Sequence, residues 1–441
     1  MKDVPVTKRK RPLGVIELIA IALGGMVGGG IFAILGVSVE VVGKSTPVAI
    51  FIGGMLALCA AYSYVKLALL YKDEGATYSF FKKTFPSSHF AAAVIGFFVS
   101  FGYISTLALY AFTFSSYFCA ALAVTSDSWI RPLVAGSVLL FFAVVNLISV
   151  KGMGRLEDVM VYTKILLLIL ISGLLVSKGE ASKVLPFIEV GTSWMAIIMI
   201  ASVTFVAYEG FQLVIHAYNE VDEPQRNIPR AIYGSIAVAT LLYVVLALGA
   251  LATIPMADLI EGKEYALATG SEKIVGKIGY FAVVFGALLA TSSAISGTLF
   301  GASRLMAVIA DDGYFPKALR VRIKGHIPSN AIWTMFVLAF LLVLGGGLQI
   351  ILEFGSVTFI IVSFLMALAN FKKRRETGSH VILTLAAMIC LFVAGALIFI
   401  FQFMHAPWQL VSTLAIYTIL IACALIQSRL RHRTVLEAKA G

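Results

Sequence analysis

Lys164 sits within Val161–Tyr162–Thr163–Lys164–Ile165–Leu166–Leu167–Leu168–Ile169–Leu170–Ile171, an apolar run that reads as a membrane-spanning helix. An ammonium at that depth costs roughly 2.5–3.5 kcal/mol on insertion scales, so ionisable groups there usually line a pathway or belong to a proton relay. A lysine can hand on its proton where an arginine does not. The competing reading is a stem that snorkels to the interface, whose near edge Arg155 and Asp158 mark about two turns away.

Glycine supplies the second feature. Gly24–Gly25–Met26–Val27–Gly28–Gly29–Gly30 places five glycines in seven residues midway through a hydrophobic stretch. Each costs roughly 1 kcal/mol of helix propensity, so together they favour a break. Broken backbone at membrane depth is tolerated where it lines a cavity, and the amides opening the second half-helix then form an anion site. Close helix packing through small residues would also use such a run. A phosphate loop is excluded: the only Gly-Lys-Ser, Gly43–Lys44–Ser45, has Ser38 where the leading glycine belongs.

A third feature is Thr204–Phe205–Val206–Ala207–Tyr208–Glu209–Gly210–Phe211–Gln212, which inserts a carboxylate, an amide and a glycine into another apolar helix. Glu209 could meet a substrate amine or basic side chain, take part in proton coupling, accept bonds from the broken backbone, or, as a buried carboxyl, simply be protonated. Gln212 lies one turn on, and His216 a further turn. His216 reads either as a packed, hydrogen-bonded histidine or as a coupling group.

The elements that hold these residues are membrane helices. Of 441 residues 60% are hydrophobic and 13% charged, beyond what a soluble domain can bury. Twelve apolar runs are long enough to span: 14–37, 47–71, 91–123, 132–149, 156–177, 194–217, 231–254, 278–309, 329–346, 350–370, 380–403 and 407–427. The expectation is one all-α polytopic domain. Interrupted helices at positions one and six point to an inverted-repeat transporter, five spans (14–177) plus five (194–370), with helices eleven and twelve (380–427) appended. Residues 1–13 and 428–441 are then tails.

Placing both termini in the cytoplasm puts most basic residues inside, among them Lys2, Lys8–Arg11, Lys82, Lys83, Lys151, Arg226, Arg230, Lys324, Lys372–Arg375, Arg429, Arg431, Arg433 and Lys439. Outside lie only Lys44, Arg131, Lys178, Lys183, Lys263, Lys273 and Lys277. This obeys the positive-inside rule. The net charge of +11 is then explained by orientation and anionic lipid, with no call for nucleic acid. Lys8–Arg9–Lys10–Arg11 before an apolar stretch mimics a signal peptide, but the stretch is too long and reads as an uncleaved first helix. Cys59, Cys119, Cys390 and Cys423 are isolated within spans and suggest neither disulfide nor zinc. Lys66 lies close enough to a span end to snorkel. Arg304 sits near the inner end of the eighth span, where Asp311, Asp312 or Glu220 could pair with it, and Tyr103 and Ser105 could face a cavity.

Four segments resemble the amino acid–polyamine–organocation permeases, which share the LeuT-type fold. Gly25–Met26–Val27–Gly28–Gly29–Gly30–Ile31–Phe32 resembles the first-helix signature. Tyr71 to Phe81 is similar to the loop after helix two, with Gly75–Ala76 where the family has two glycines. Glu220–Val221–Asp222–Glu223–Pro224–Gln225–Arg226–Asn227–Ile228–Pro229–Arg230–Ala231–Ile232 and Ala302 to Pro316 are the more specific matches. The resemblance covers nearly the whole chain.

It implies transport of a small amine, most often an amino acid, with no cofactor. The substrate carboxylate would be held by amides around Gly28, Gly29 and Gly30, with Ile31 beside them. The ammonium would meet carbonyls of Met26, Phe205, Val206 and Tyr208, under Phe205 as an aromatic lid. Sodium-coupled relatives hold an ion between helices one and eight. Here Gly24 and Val27 occupy the carbonyl positions, and Ser292 and Ser293 offer hydroxyls. In a subgroup of proton-coupled members a helix-five lysine stands in for that ion, and Lys164 falls there. Glu209 departs from the family, which has an apolar residue at this position. The expected function is proton-coupled, sodium-independent amino acid symport across a plasma (inner) membrane. Exchange of amino acids or polyamines and sensing without transport remain alternatives. An enzyme is disfavoured by the lack of HExxH, GxSxG or clustered histidines.

Overall fold

The computed structural model describes residues 12–122, 129–148, 151–188, 191–262, 265–323 and 327–440, with backbone alone for 151–158 and 432–440. Lys2, Lys8–Arg11, Lys263 and Lys324, and the side chains of Lys151, Arg155, Asp158, Arg433 and Lys439, therefore lie outside the described residues.

The described residues form α-helices and a few 3-10 helices, with two isolated bridges (Leu13 with Val221, Ile323 with Ile327) and no β-strand. Ten stretches are long and apolar enough to cross a bilayer; one of them, Gly29–Tyr71, holds two helices in succession. With the shorter apolar helices Val15–Met26 and Ser329–Gly345, twelve spans result. The first span is Val15–Met26 plus Gly29–Val42, and the second is Thr46–Tyr71. The third is His89–Ala121, the fourth Ile130–Ile148 and the fifth Lys151–Lys178. The sixth covers Trp194–Glu220, the seventh Pro224–Thr253 and the eighth Lys277–Asp311. The remaining four are Ser329–Gly345, Leu348–Lys372, Val381–His405 and Pro407–Ala440. Pro47 and Pro224 open the second and seventh spans, where a missing N–H costs nothing. The last helix runs past residue 427, because the polar segment beyond it (Gln427 to Ala440) is made largely of good helix formers.

Burial sorts the spans. The apolar windows of the third and sixth are 83% and 89% buried, whereas those of the eleventh and twelfth are 33% and 22% buried. The third and sixth therefore form the interior, and the last two present apolar side chains outward, as helices facing lipid do. The third span packs against the eighth and tenth, and the seventh against the second, fifth and first.

Both expected breaks are present. The first span stops at Met26 and restarts at Gly29, with Val27 (φ −80°, ψ 74°) and Gly28 (φ −116°, ψ −147°) outside helical geometry. The sixth span is α-helical to Val203, tightens to a 3-10 helix over Thr204–Tyr208, breaks at Glu209–Gly210 and resumes as 3-10 turns over Phe211–Glu220. Long 3-10 stretches have poorer hydrogen bonds than an α-helix and often mark hinges.

Candidate functional site

The two breaks touch. Gly210 has φ +130°, a conformation that L side chains rarely adopt, and a Cβ there would stand 2.7 Å from the Met26 amide nitrogen. A Cβ on Gly25 would meet Gly210 Cα at 3.0 Å and Leu213 at 2.6 Å. Only glycine at both positions lets the backbones approach so closely.

Breaking a helix frees amides and carbonyls that must find partners in a dry interior. The Gly28 N–H donates to the Met26 carbonyl (2.9 Å) and the Gly210 N–H donates to Gln212 Oε1 (3.1 Å). The Tyr243 hydroxyl, from the seventh span, lies 2.8 Å from the Met26 carbonyl and 3.1 Å from the Ala207 carbonyl, so one O–H serves both broken spans. Gly29 and Gly30 open a 14-residue helix whose cap, Gly28, has no side chain to offer. The first amides of such a helix lack intrahelical acceptors and favour an anion. The glycines are also tightly enclosed: a Cβ on Gly28 would lie 2.8 Å from the Tyr110 ring, and one on Gly30 would lie 3.1 Å from Ala207 Cα. Close packing and an anion-accepting helix start coexist at this run.

Lys164 is 2% exposed. Its Nζ donates to the Gly24 carbonyl at 2.6 Å and to the Ser293 hydroxyl at 2.8 Å, tying the fifth span to the first and eighth. Of the expected serine pair, Ser293 carries this bond, while Ser292 beside it is half-buried. Snorkelling is instead the behaviour of Lys66, whose Nζ reaches the Gly378 carbonyl at 3.2 Å and the Thr377 carbonyl at 3.5 Å.

A cavity reaches the breaks from the side where the sixth and eighth spans run to Glu220 and Asp311. Gly25, Tyr103, Thr106, Tyr110, Glu209, Gly210, Leu213, His216, Gly297, Thr298, Gly301, Ala302, Leu305 and Phe359 line it, and its volume of about 30 Å³ suits a few waters. Of the residues expected to bind substrate, Glu209 alone lines it. Met26, Gly28, Gly29, Gly30, Ile31, Phe205, Val206 and Tyr208 are buried in the surrounding packing. Tyr103 faces the cavity as expected. His216 is on the wall, with Nδ1 2.7 Å from the Glu74 carbonyl, in keeping with a packed, hydrogen-bonded histidine.

Arg304 differs from expectation. Its guanidinium lies over the Phe300 ring, 3.4 Å from the centroid, and donates to the Phe300 carbonyl, so it forms no ion pair with Asp311, Asp312 or Glu220. Those acids are claimed elsewhere. Asp312 takes Lys82 and the Tyr78 hydroxyl, each at 2.7 Å, and Asp311 takes Arg322 at 3.2 Å. Lys82 and Tyr78 come from the short helix Ala76–Thr84, which the loop signature had marked without showing its partner.

Tyr243, Gln212 and the Glu353 cluster escaped the sequence reading in their roles. Glu353 accepts from Gln349 (2.8 Å) and Gln402 (2.7 Å), joining the tenth span to the eleventh. The i,i+4 spacing of Gln349 and Glu353 was the available signal. For Tyr243 it was the hydroxyl itself, since a buried tyrosine usually finds an acceptor.

Residues 13–426 match the family described as amino acid permease. The chain belongs to the amino acid permeases of the amino acid–polyamine–organocation superfamily. This permease is 30% identical to the inner membrane transport protein YbaT of Escherichia coli over 437 residues, 96% of this chain and 98% of that one. It is 25% identical to the branched-chain amino acid permease BcaP of Bacillus subtilis over 416 residues, 87% of each chain. It is 24% identical to the chloroplastic cationic amino acid transporter 7 of Arabidopsis thaliana over 437 residues, 92% of this chain and 73% of that one. The permease is thus a multi-pass membrane transporter and not an enzyme.

Proposed function

We propose that the permease carries an amino acid together with a proton, without sodium, by alternating access across the plasma (inner) membrane, with both termini in the cytoplasm. The observation that carries this reading is the Lys164 ammonium, 2.6 Å from the Gly24 carbonyl and 2.8 Å from the Ser293 hydroxyl. It occupies the position, between the first and eighth spans, where sodium-coupled relatives are expected to hold their ion. A second cation there would be repelled. The basic-residue asymmetry of the loops supports the orientation.

Protonated Lys164 makes charge-assisted bonds to both neighbours, about twice as strong as neutral ones. Losing the proton weakens both at once and loosens the fifth span against the first and eighth. Binding a proton from outside then favours closure over substrate, and releasing it inside favours opening. The substrate carboxylate is placed at the Gly29 and Gly30 amides, with Gly28 becoming available once its bond to Met26 opens. The ammonium is placed at carbonyls of Met26, Phe205, Val206 and Tyr208. The five-plus-five inverted repeat, with boundaries at 14–177 and 194–370, supplies the two halves that rock.

The names of the relatives differ in side chain, branched in one and cationic in another, so they support the class alone. The test is uptake of labelled amino acids into liposomes in sodium-free buffer with an imposed pH gradient. Wild type accumulates substrate; Lys164→Ala does not, and Lys164→Arg binds without turning over. Normal pH-driven uptake by Lys164→Ala, or an absolute sodium requirement in wild type, overturns the reading. Counterflow that persists in Lys164→Ala would identify exchange.

A further inference from the structure

Glu209 is a buried ionisable group on the cavity wall that the coupling scheme leaves unused. It is 4% exposed, and neither carboxyl oxygen makes a hydrogen bond of normal geometry, the side-chain donor beside it being Gln212. Burying such a group unpaired is costly, so its retention in a dry interior calls for a partner that comes and goes.

The backbone is not that partner. The freed Gly210 N–H is taken by Gln212 Oε1, and the Glu209 N–H goes to the Val206 carbonyl at 3.3 Å. Gln212 turns its own Nε2 toward the Tyr103 hydroxyl, 3.4 Å away. The protein supplies no counter-cation on the cavity wall either, since no lysine or arginine lines it. His216 is the basic group there, and its Nδ1 faces the Glu74 carbonyl. Lys164 is not on the wall; it holds Gly24 and Ser293. Tyr103, Thr106, Tyr110 and Thr298, each with a hydroxyl oxygen able to accept from an ammonium or guanidinium, line the same space.

We infer that Glu209 receives a second positive charge on the substrate, so that this permease selects amino acids with a cationic side chain. The inference rests on the amino acid site proposed above. An α-carboxylate and α-ammonium held at the breaks leave the side chain to run into the cavity, where Glu209 stands immediately before Gly210. A neutral side chain there leaves the carboxyl buried and unpaired. A cationic one pairs with it, and the surrounding hydroxyls accept the remaining donors.

The probes are L-lysine and L-norleucine, which differ in the terminal amine, applied to the purified full-length chain and to proteoliposomes. Wild type binds and takes up L-lysine at least about tenfold better than L-norleucine, the scale of a charged hydrogen bond. Glu209→Gln removes that preference while L-norleucine binding holds or improves. Without ligand, Glu209→Gln unfolds at a higher temperature than wild type, because an unpaired buried carboxyl has gone. Should Glu209→Gln not be recovered, Glu209→Asp serves, with the preference weakened by the shorter reach. Equal affinity for the two probes in wild type, or an undiminished lysine preference in Glu209→Gln, overturns the inference. Uptake of L-norleucine that is pH-driven and Lys164-dependent would in that case leave the transport reading standing; absence of uptake for every amino acid would sink both.

Discussion

Gly210 and Gly25 meet backbone against backbone: a Cβ on Gly210 would stand 2.6 Å from the carbonyl carbon of Gly25. The contact joins the broken first span to the broken sixth at the head of the cavity. A movement of one half-helix there is transmitted to the other without any side chain between them.

Gly210→Ala is therefore expected to cost about 1–3 kcal/mol from the φ of +130° alone, with the clash added. Thermal unfolding of the detergent-solubilised protein measures it, and uptake falls in parallel. Gly173→Ala is the control, since a Cβ there meets nothing within 4 Å. Equal stability of the two variants would show that the breaks do not touch.

Bulk at Gly30 tests the carboxylate site. Leucine at this position must displace Ala207, whose Cα would lie 3.1 Å from the added Cβ, and it fills the space before the Gly29 and Gly30 amides. Gly30→Leu is expected to insert into the membrane yet lose amino acid binding. Wild-type affinity would reduce the glycine run to helix packing.

Tyr243→Phe removes one hydroxyl, leaving the buried Ala207 carbonyl short of a donor and the Met26 carbonyl with the Gly28 N–H alone. A loss of about 1–3 kcal/mol is expected, the desolvation penalty of an unmet buried acceptor. Transport should fall more than stability does, because the same bond holds the two breaks together. Comparing uptake with the unfolding midpoint separates these effects; an unchanged midpoint refutes the clasp.

Acid should weaken one contact at the membrane surface. Burial pushes the Asp73 carboxyl up, but bonds from Lys83, Ser79 and the Gly75 N–H outweigh it, so its pKa falls below the ordinary 3.8. A carboxyl whose folded value is depressed adds stability that is complete above the unfolded value and is lost as pH falls through the folded one. The contribution is about 1 kcal/mol or less, since both partners are partly exposed. Unfolding midpoints of wild type and Asp73→Asn should converge below that range and separate above it. A constant gap across pH would exclude the ion pair as the cause.

Much of this protein was legible in residues read in order. Hydropathy alone sets twelve spans, because a helix that crosses the bilayer is apolar along its length whether it faces lipid or other helices. Five glycines in seven residues set the break of the first span through backbone propensity. Gly210 beside Glu209 marks that of the sixth. These are local properties, carried within a single helix. The partners of Lys164 were named only through the family resemblance, and that Ser293 rather than Ser292 takes the bond depends on the rotation of the eighth span about its own axis. Tyr243 meets Met26 across 217 positions of sequence, a distance at which no periodicity speaks. Packing likewise gave Asp312 to Tyr78 and Lys82 and left Arg304 to Phe300, although charge alone allowed the other pairing. The same packing buried the Glu209 carboxyl on the wall of a cavity. A sequence states which groups are costly to bury; only the assembled helices decide which neighbour offsets that cost, and which group is left to wait for a ligand.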